Sequence, residues 1–139
     1  MQTTEFIARL KSECPLLKGK VFGAAELVVA NPTTMQPPCA FVIPMSEKSS
    51  PNTLSQGFSQ KVTVQFGVVI AIRNFNDTRG DAGHVQLELV RKQVKDALCN
   101  WDMTDTATPM EHIAGDLAGY DNLVLRWNDV FETNFYYRK

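Results

Sequence analysis

The groups in this sequence able to carry chemistry are few and scattered. The histidines are His84 and His112, and the cysteines are Cys14, Cys39 and Cys99. His112 has Glu111 beside it and Asp116 four residues on, but ligand types this close in sequence make a metal site only with a second cluster. The cysteines are widely separated, odd in number and outside any C-x-x-C or C-x-x-H spacing, so reduced thiols are expected. Nucleophilic catalysis requires Ser, Cys or Thr beside an oriented base; no cysteine here has a neighbouring histidine, and no G-x-S-x-G elbow occurs. The phosphate-cradling patterns G-x-x-x-x-G-K-[ST] and G-x-G-x-x-G are missing as well. The expectation is a protein without catalytic residues, cofactor or metal, and not an enzyme.

Three further features have structural readings. His84 falls at the start of a long helix, where the positive end of the dipole disfavours an imidazolium, so it reads as a neutral surface residue or an N-terminal polar contact. Arg79-Gly80-Asp81 matches a cell-adhesion tripeptide, yet it sits where a loop enters that helix; Asp81 reads as its N-cap and Gly80 as the turn. Trp101, Trp127, Phe131, Phe135, Tyr136 and Tyr137 could be a stacking platform for nucleic acid. Without surrounding basic charge they read as core and subunit interface.

Composition agrees. Fourteen basic residues stand against 15 acidic, a formal charge of -1, so the chain lacks the excess of a dedicated nucleic-acid binder. The 139 residues, 44% hydrophobic and 21% charged, suffice for one domain spanning 1–139 with a core that needs no disulfide. The amino terminus has no apolar run of signal-peptide or membrane-span length, so synthesis in the cytoplasm and no membrane partner are expected.

The elements follow from periodicity. Thr3 or Thr4 can open a helix with Glu5 near its positive end, and Phe6, Ile7, Leu10 and Cys14 share one face before Pro15 stops the run. Lys20 to Phe22 reads as a short edge strand, and Ala24 to Ala30 as a second short helix ended by Asn31-Pro32. Cys39 to Pro44 is a buried strand bounded by prolines. Ser46 to Gln60, with almost no large apolar residue, reads as a long polar loop and the first place to look for a partner contact.

Lys61 to Arg73 carries the clearest signal: Val62, Val64, Phe66, Val68, Ile70 and Ile72 alternate with the remaining residues, giving a long strand with one apolar face. Its other face becomes small and apolar after Gly67, so the second half should be covered on both sides. After a turn-rich stretch from Asn74 to Gly83, Leu87, Val90, Val94, Ala97, Leu98 and Trp101 recur at helical spacing, with Glu88, Arg91, Lys92, Lys95 and Asp96 outside. Met110 to Asp116 is expected as a short strand, with turns at Gly115 and Gly119. Leu123, Leu125, Trp127, Phe131, Phe135 and Tyr137 form a last long strand, its apolar face interrupted by Asp129 and Thr133 and bulged near Asn128-Asp129. Together these predict an α+β fold: a mostly antiparallel sheet with its helices packed on one face. Its open edges must be blunted or used, and lateral assembly into an oligomer uses them.

At this level the chain resembles the tail terminator proteins of long-tailed bacteriophages. The resemblance lies in the amino-terminal helix, Val21-Phe22-Gly23-Ala24-Ala25, the Ala40-Phe41-Val42-Ile43-Pro44 strand with its Ser/Asn/Gln loop, and the strand from Gln60 to Ile72. It continues through Asn74-Phe75-Asn76-Asp77-x-Arg79-Gly80-Asp81 into the long helix, Leu98-x-x-Trp101, and a closing strand with Trp127 and Phe131. Asn100-Trp101-Asp102-Met103 stands where Gly-Trp-x-Pro is expected. The resemblance implies a hexameric ring in the virion, at the head-proximal end of the tail. The ring would cap the tail tube, stop its polymerisation and present a surface to the head-tail connector or neck protein, with genomic DNA passing through the lumen without sequence-specific binding. Axial contacts are expected first from Lys48 to Phe58, taking in Ser50, Asn52, Leu54 and Gln56, and second from Asn76, Asp77, Arg79 and Asp81. A head-tail joining or tail completion protein is the related alternative, differing in partner. A small-ligand-binding or enzymatic α+β domain is the distant one and would need a pocket with convergent polar groups.

Overall fold

The computed structural model describes residues 3–25, 36–73, 81–121 and 123–139, with the backbone alone at 81–83 and 121. In chain order it has helix α1 (Thr3–Glu13), a 3-10 turn (Pro15–Leu17), strands β1 (Val21–Gly23), β2 (Cys39–Ser49) and β3 (Ser59–Arg73), helix α2 (Asp81–Leu98), and strands β4 (Glu111–Asp121) and β5 (Val124–Arg138). The strands form one sheet in the order β1-β2-β3-β5-β4. β1 runs parallel to β2, and every other pairing is antiparallel. This is the expected α+β architecture. The helix expected over Ala24 to Ala30 lies outside the described residues beyond Ala25, as does most of the turn-rich stretch expected from Asn74 to Gly83, whose last three residues begin α2.

The period-two pattern of β3 decides what the helices cover. Phe66, Val68, Ile70 and Ile72 turn to one side and meet Ala40 and Val42 of β2, Phe131 of β5, Phe6 and Leu10 of α1, and Leu87, Val90, Val94 and Leu98 of α2, all buried in one core. Each such side chain contributes roughly 1.5–3 kcal/mol by leaving water. Two polar contacts tie the helical layer together. Arg9 Nε donates to the Ala97 carbonyl at 3.0 Å, placing a cation at the negative end of α2. Glu5 accepts from both Thr104 N and Thr104 Oγ1 at 3.0 Å. On the opposite, outer face, Cys39, Phe41, Val69, Ala71 and Val124 make a smaller buried cluster with Phe22 and Ile43 against it. The later half of β3 is thus covered on both sides within the single chain, without a neighbouring subunit.

Several boundaries differ from the sequence expectation. α2 stops at Leu98, because Asn100 takes a left-handed φ of 62°. Trp101 lies beyond the helix, with its ring edge-on to Phe6 at 6.2 Å. β4 runs to Asp121, through both glycines expected as turns. β5 pairs with β3 in unbroken register from Val124 to Arg138. The irregularities lie instead in β4, between His112 and Ala114 and between Leu117 and Gly119, so the edge strand absorbs the bend.

The largest difference concerns Ser46 to Gln60. β2 continues to Ser49 and β3 starts at Ser59, with Ser46, Glu47, Lys48 and Ser49 paired to Gln65, Val64, Thr63 and Val62. Only residues 50–58 connect them. This segment holds few large apolar residues because both of its faces meet solvent, so burial leaves no periodic mark on it; backbone pairing makes it a strand.

Candidate assembly surface

Beyond Pro44, Phe66 and Glu132 the sheet runs on as a three-stranded arm made of the ends of β2, β3 and β5. From Phe66 to Ser59 it reaches out roughly 20 Å at the usual rise per residue. Its connecting loop is organised by Asn52, whose Oδ1 accepts from Leu54 N at 3.2 Å and Ser59 N at 3.1 Å, while Nδ2 donates to the Gly57 carbonyl at 3.4 Å. Gly57 takes a φ of +85°, which only glycine adopts without strain. Gln60 Nε2 donates to the Ser50 carbonyl and Ser50 N to that of Lys61.

The sequence-predicted contact residues therefore differ in kind. Lys48, Ser50, Leu54 and Gln56 are exposed. Asn52 is occupied in holding the loop. Half-buried Phe58 packs edge-on to Tyr137 at 6.2 Å. Lys48 lies on the last part of β2 rather than in a loop. Asn76, Asp77 and Arg79 fall outside the described residues, and Asp81 is the first residue of α2.

Among the described residues, the arm leaves backbone unpaired on both margins. β1 pairs with β2 only through Ala40, Phe41 and Val42, so among the described residues β2 is an open edge from Ile43 outward. On the other margin, β4 leaves β5 at Glu132, and the segment ahead of β4 covers two more residues: Ala107 N donates to the Asn134 carbonyl at 2.7 Å and Thr133 Oγ1 to that of Thr108 at 2.7 Å. In an antiparallel ladder alternate residues turn N–H and C=O the same way. Tyr136 and Arg138 therefore turn theirs outward like Asn134, with no strand beyond among the described residues. β4 is itself an edge, carrying Ile113, Leu117 and Tyr120 at 41%, 59% and 54% exposure. Exposed edges with large apolar side chains are surfaces that associate.

Behind the β4 edge is a buried ionic centre that the sequence reading missed. Asp129 is fully buried on the helix face of β5. Arg91 grips it with two hydrogen bonds, Nε to Oδ2 and Nη2 to Oδ1, both 3.0 Å. His112 Nε2 lies 2.9 Å and Trp127 Nε1 3.1 Å from the same Oδ1. Since a carboxylate only accepts, His112 carries its proton on Nε2. Arg91 also stacks over the Trp127 ring, 4.8 Å from its centroid. Burial pushes the Asp129 carboxyl up, but the hydrogen bonds from Arg91, His112 and Trp127 and the Arg91 charge outweigh it and hold it below the usual carboxylate range. The Asp129 hydrogen bond raises Arg91 in turn, against its desolvation. A β-carbon on Gly115 would lie 2.9 Å from Asp129 Oδ1 and 3.1 Å from Trp127 Nε1, so this close approach requires glycine. The centre links α2, β4 and β5. Arg91 thus points inward, not outward as helical spacing suggested. The available signal was Asp129 itself, a charge at an apolar-face position that demands a partner.

Burial pushes the Cys14 and Cys39 thiols up to about 11, leaving both protonated and poorly nucleophilic at neutral pH. Among the described residues no three His, Cys, Asp or Glu side chains are placed to hold a metal ion. No described helix is long and apolar enough to cross a membrane. His84, on α2, is exposed.

The model of one protein family, described as phage tail terminator protein, matches residues 1–139. Among solved structures, the chain is similar to one in the virion of a native gene transfer agent (GTA) particle. The identity is 16%, with 94% of this chain and 91% of that chain covered and a TM-score of 0.59; so low an identity speaks for a shared fold alone. No curated protein gives a significant match.

Proposed function

The chain belongs to the phage tail terminator protein family, and on that premise we propose that it acts as one structural domain, residues 1–139, in a closed ring of six at the head-proximal end of the tail. The observation that carries the reading is the arm: strands that run past the helices, have both edges unpaired among the described residues and hold Met45, Leu54, Tyr136 and Tyr137 in solvent. An isolated subunit gains little from such a structure, whereas a ring of copies covers it.

Termination is then a matter of shape. One ring face complements the last ring of tube subunits, while the opposite face does not repeat the tube's acceptor surface and meets the head-tail connector or neck protein instead. Lys48, Ser50, Leu54 and Gln56 at the arm end serve the axial contacts, with the segment leading to Asp81 second. DNA passes through the lumen without base-specific contact, and no bond is made or broken. Deleting the gene and imaging the lysate by electron microscopy tests this: overlong tails lacking heads are expected, and tails of normal length or complete virions overturn it.

A further inference from the structure

The outer face of the sheet carries a basic patch on the arm and an acidic patch at its root, with Arg126 on the same face beyond Asn128. Directly opposite residues of an antiparallel ladder share a face. Pairing of Lys48 with Thr63, Lys61 with Tyr136 and Ser59 with Arg138 therefore sets Lys48, Lys61, Arg138 and Tyr136 together on the outer face of the arm. Arg138 lies over the Tyr136 ring at 5.0 Å, and none of the three cations has an ion-pair partner among the described residues.

At the root of the arm the same face turns acidic. Glu111 of β4 is paired directly with Glu132 of β5, and Asp116 follows beside Asn128. Like charges opposed across a ladder repel, and no cation is ion-paired to either glutamate among the described residues. The stretch from Asp102 to Asp121 holds five carboxylates and no lysine or arginine. Two such ends cannot meet within one subunit, because Lys61 and Glu132 lie four ladder positions apart, at Tyr136 and Gln65, or roughly 13 Å.

We infer that the basic outer face of one copy's arm (Lys48, Lys61 and Arg138, with Tyr136) seats against the acidic β4–β5 root (Glu111, Glu132 and Asp116) of a second copy, head to tail. This deepens the ring reading and rests on it. A heterologous contact of this kind generates a ring when its rotation closes. The cations relieve the Glu111–Glu132 repulsion, and the exposed Ile113 on the β4 edge beside them gives the arm an apolar rest. Opposed charges fix the direction of association and steer it, so assembly weakens as salt screens them.

The test uses the purified full chain, with mass photometry and sedimentation at low and high salt. The doubles Lys61→Glu/Arg138→Glu and Glu111→Lys/Glu132→Lys are each expected to weaken association by more than about tenfold, and the neutral double Lys61→Gln/Arg138→Gln by less. Thermal melts should stay unchanged for these exposed or half-exposed sites. Joining both reversals in one chain, or mixing the two doubles one to one, should restore the oligomer, since each acidic arm then meets a basic root. Oligomers indifferent to both reversals, or reversals that the combined chain fails to rescue, overturn the inference while leaving the tail-length experiment untouched. A wild-type chain that stays monomeric at high concentration and low salt overturns it as well. Normal tails in the gene deletion, with charge-dependent rings in solution, sink the terminator reading alone.

Discussion

The same two strands, β3 and β5, run through two regions that are built differently. From Phe66 to Ile72 and from Leu125 to Phe131 they lie under α1 and α2, with apolar side chains in a continuous core. From Ser59 to Gln65 and from Glu132 to Arg138 they hold one another mainly by backbone pairing; Val62 and Thr133 are buried, and the other side chains are partly or fully in water. Burial drives the first region, and it resists change. The second is held by a ladder whose hydrogen bonds each contribute only about 1 kcal/mol net, and its remaining surface is free for a partner. The contrast sets the buried and the exposed stretches at opposite ends of the same strands, and on the proposed reading the exposed end serves assembly.

The comparison can be broken most severely inside the core. Phe131→Ala, at a fully buried ring, should cost about 4 kcal/mol, read as a shift in urea midpoint; a cost under about 1 kcal/mol would mean that the body is not what holds the fold. Asp129→Ala should cost about 3 kcal/mol, since it leaves Arg91, with 18% of its side chain exposed, without its carboxylate. Gly67→Ala comes next, at about 2 kcal/mol, because the added carbon would meet Asn128 Oδ1 at 2.6 Å and both Ile43 and Met45 at 2.9 Å. Smallest in stability is Tyr137→Ala on the arm, below about 0.5 kcal/mol as at ordinary surface sites, although it should impair assembly in a complementation assay.

Acid sharpens the same comparison. Asp129 has a depressed carboxyl in the folded chain, so the unfolded chain binds its proton more readily. Its contribution is complete above the ordinary unfolded value of about 4 and is lost as pH falls through the lower folded value. Melting temperatures taken downward from pH 5 should fall less steeply for Asp129→Asn than for wild type. Parallel curves would remove the ionic centre as a source of acid sensitivity.

How legible all this was depends on whether a residue's surroundings are local. The alternation from Val62 to Ile72 and the helical spacing from Leu87 to Leu98 announced a helix-covered sheet, because burial on one side imposes the period of the element on the sequence. Ser46 to Ser49 carried no such mark. A ribbon wet on both faces has no buried side, so composition suggested a loop where the ladder with β3 makes a strand. The contact residues chosen from that segment accordingly divide between an exposed set and Asn52, which builds the loop itself.

By itself, then, the sequence determined the layers, the central strand and the absence of familiar catalytic signatures, since each is written in spacing or in short motifs. Tertiary structure alone decided where cover ends along β3 and β5, which edges stay open, and that Arg91 reaches Asp129 across 38 residues of chain. A buried charge tells that a partner must exist, but only the packing of α2 over the sheet determines which residue it is.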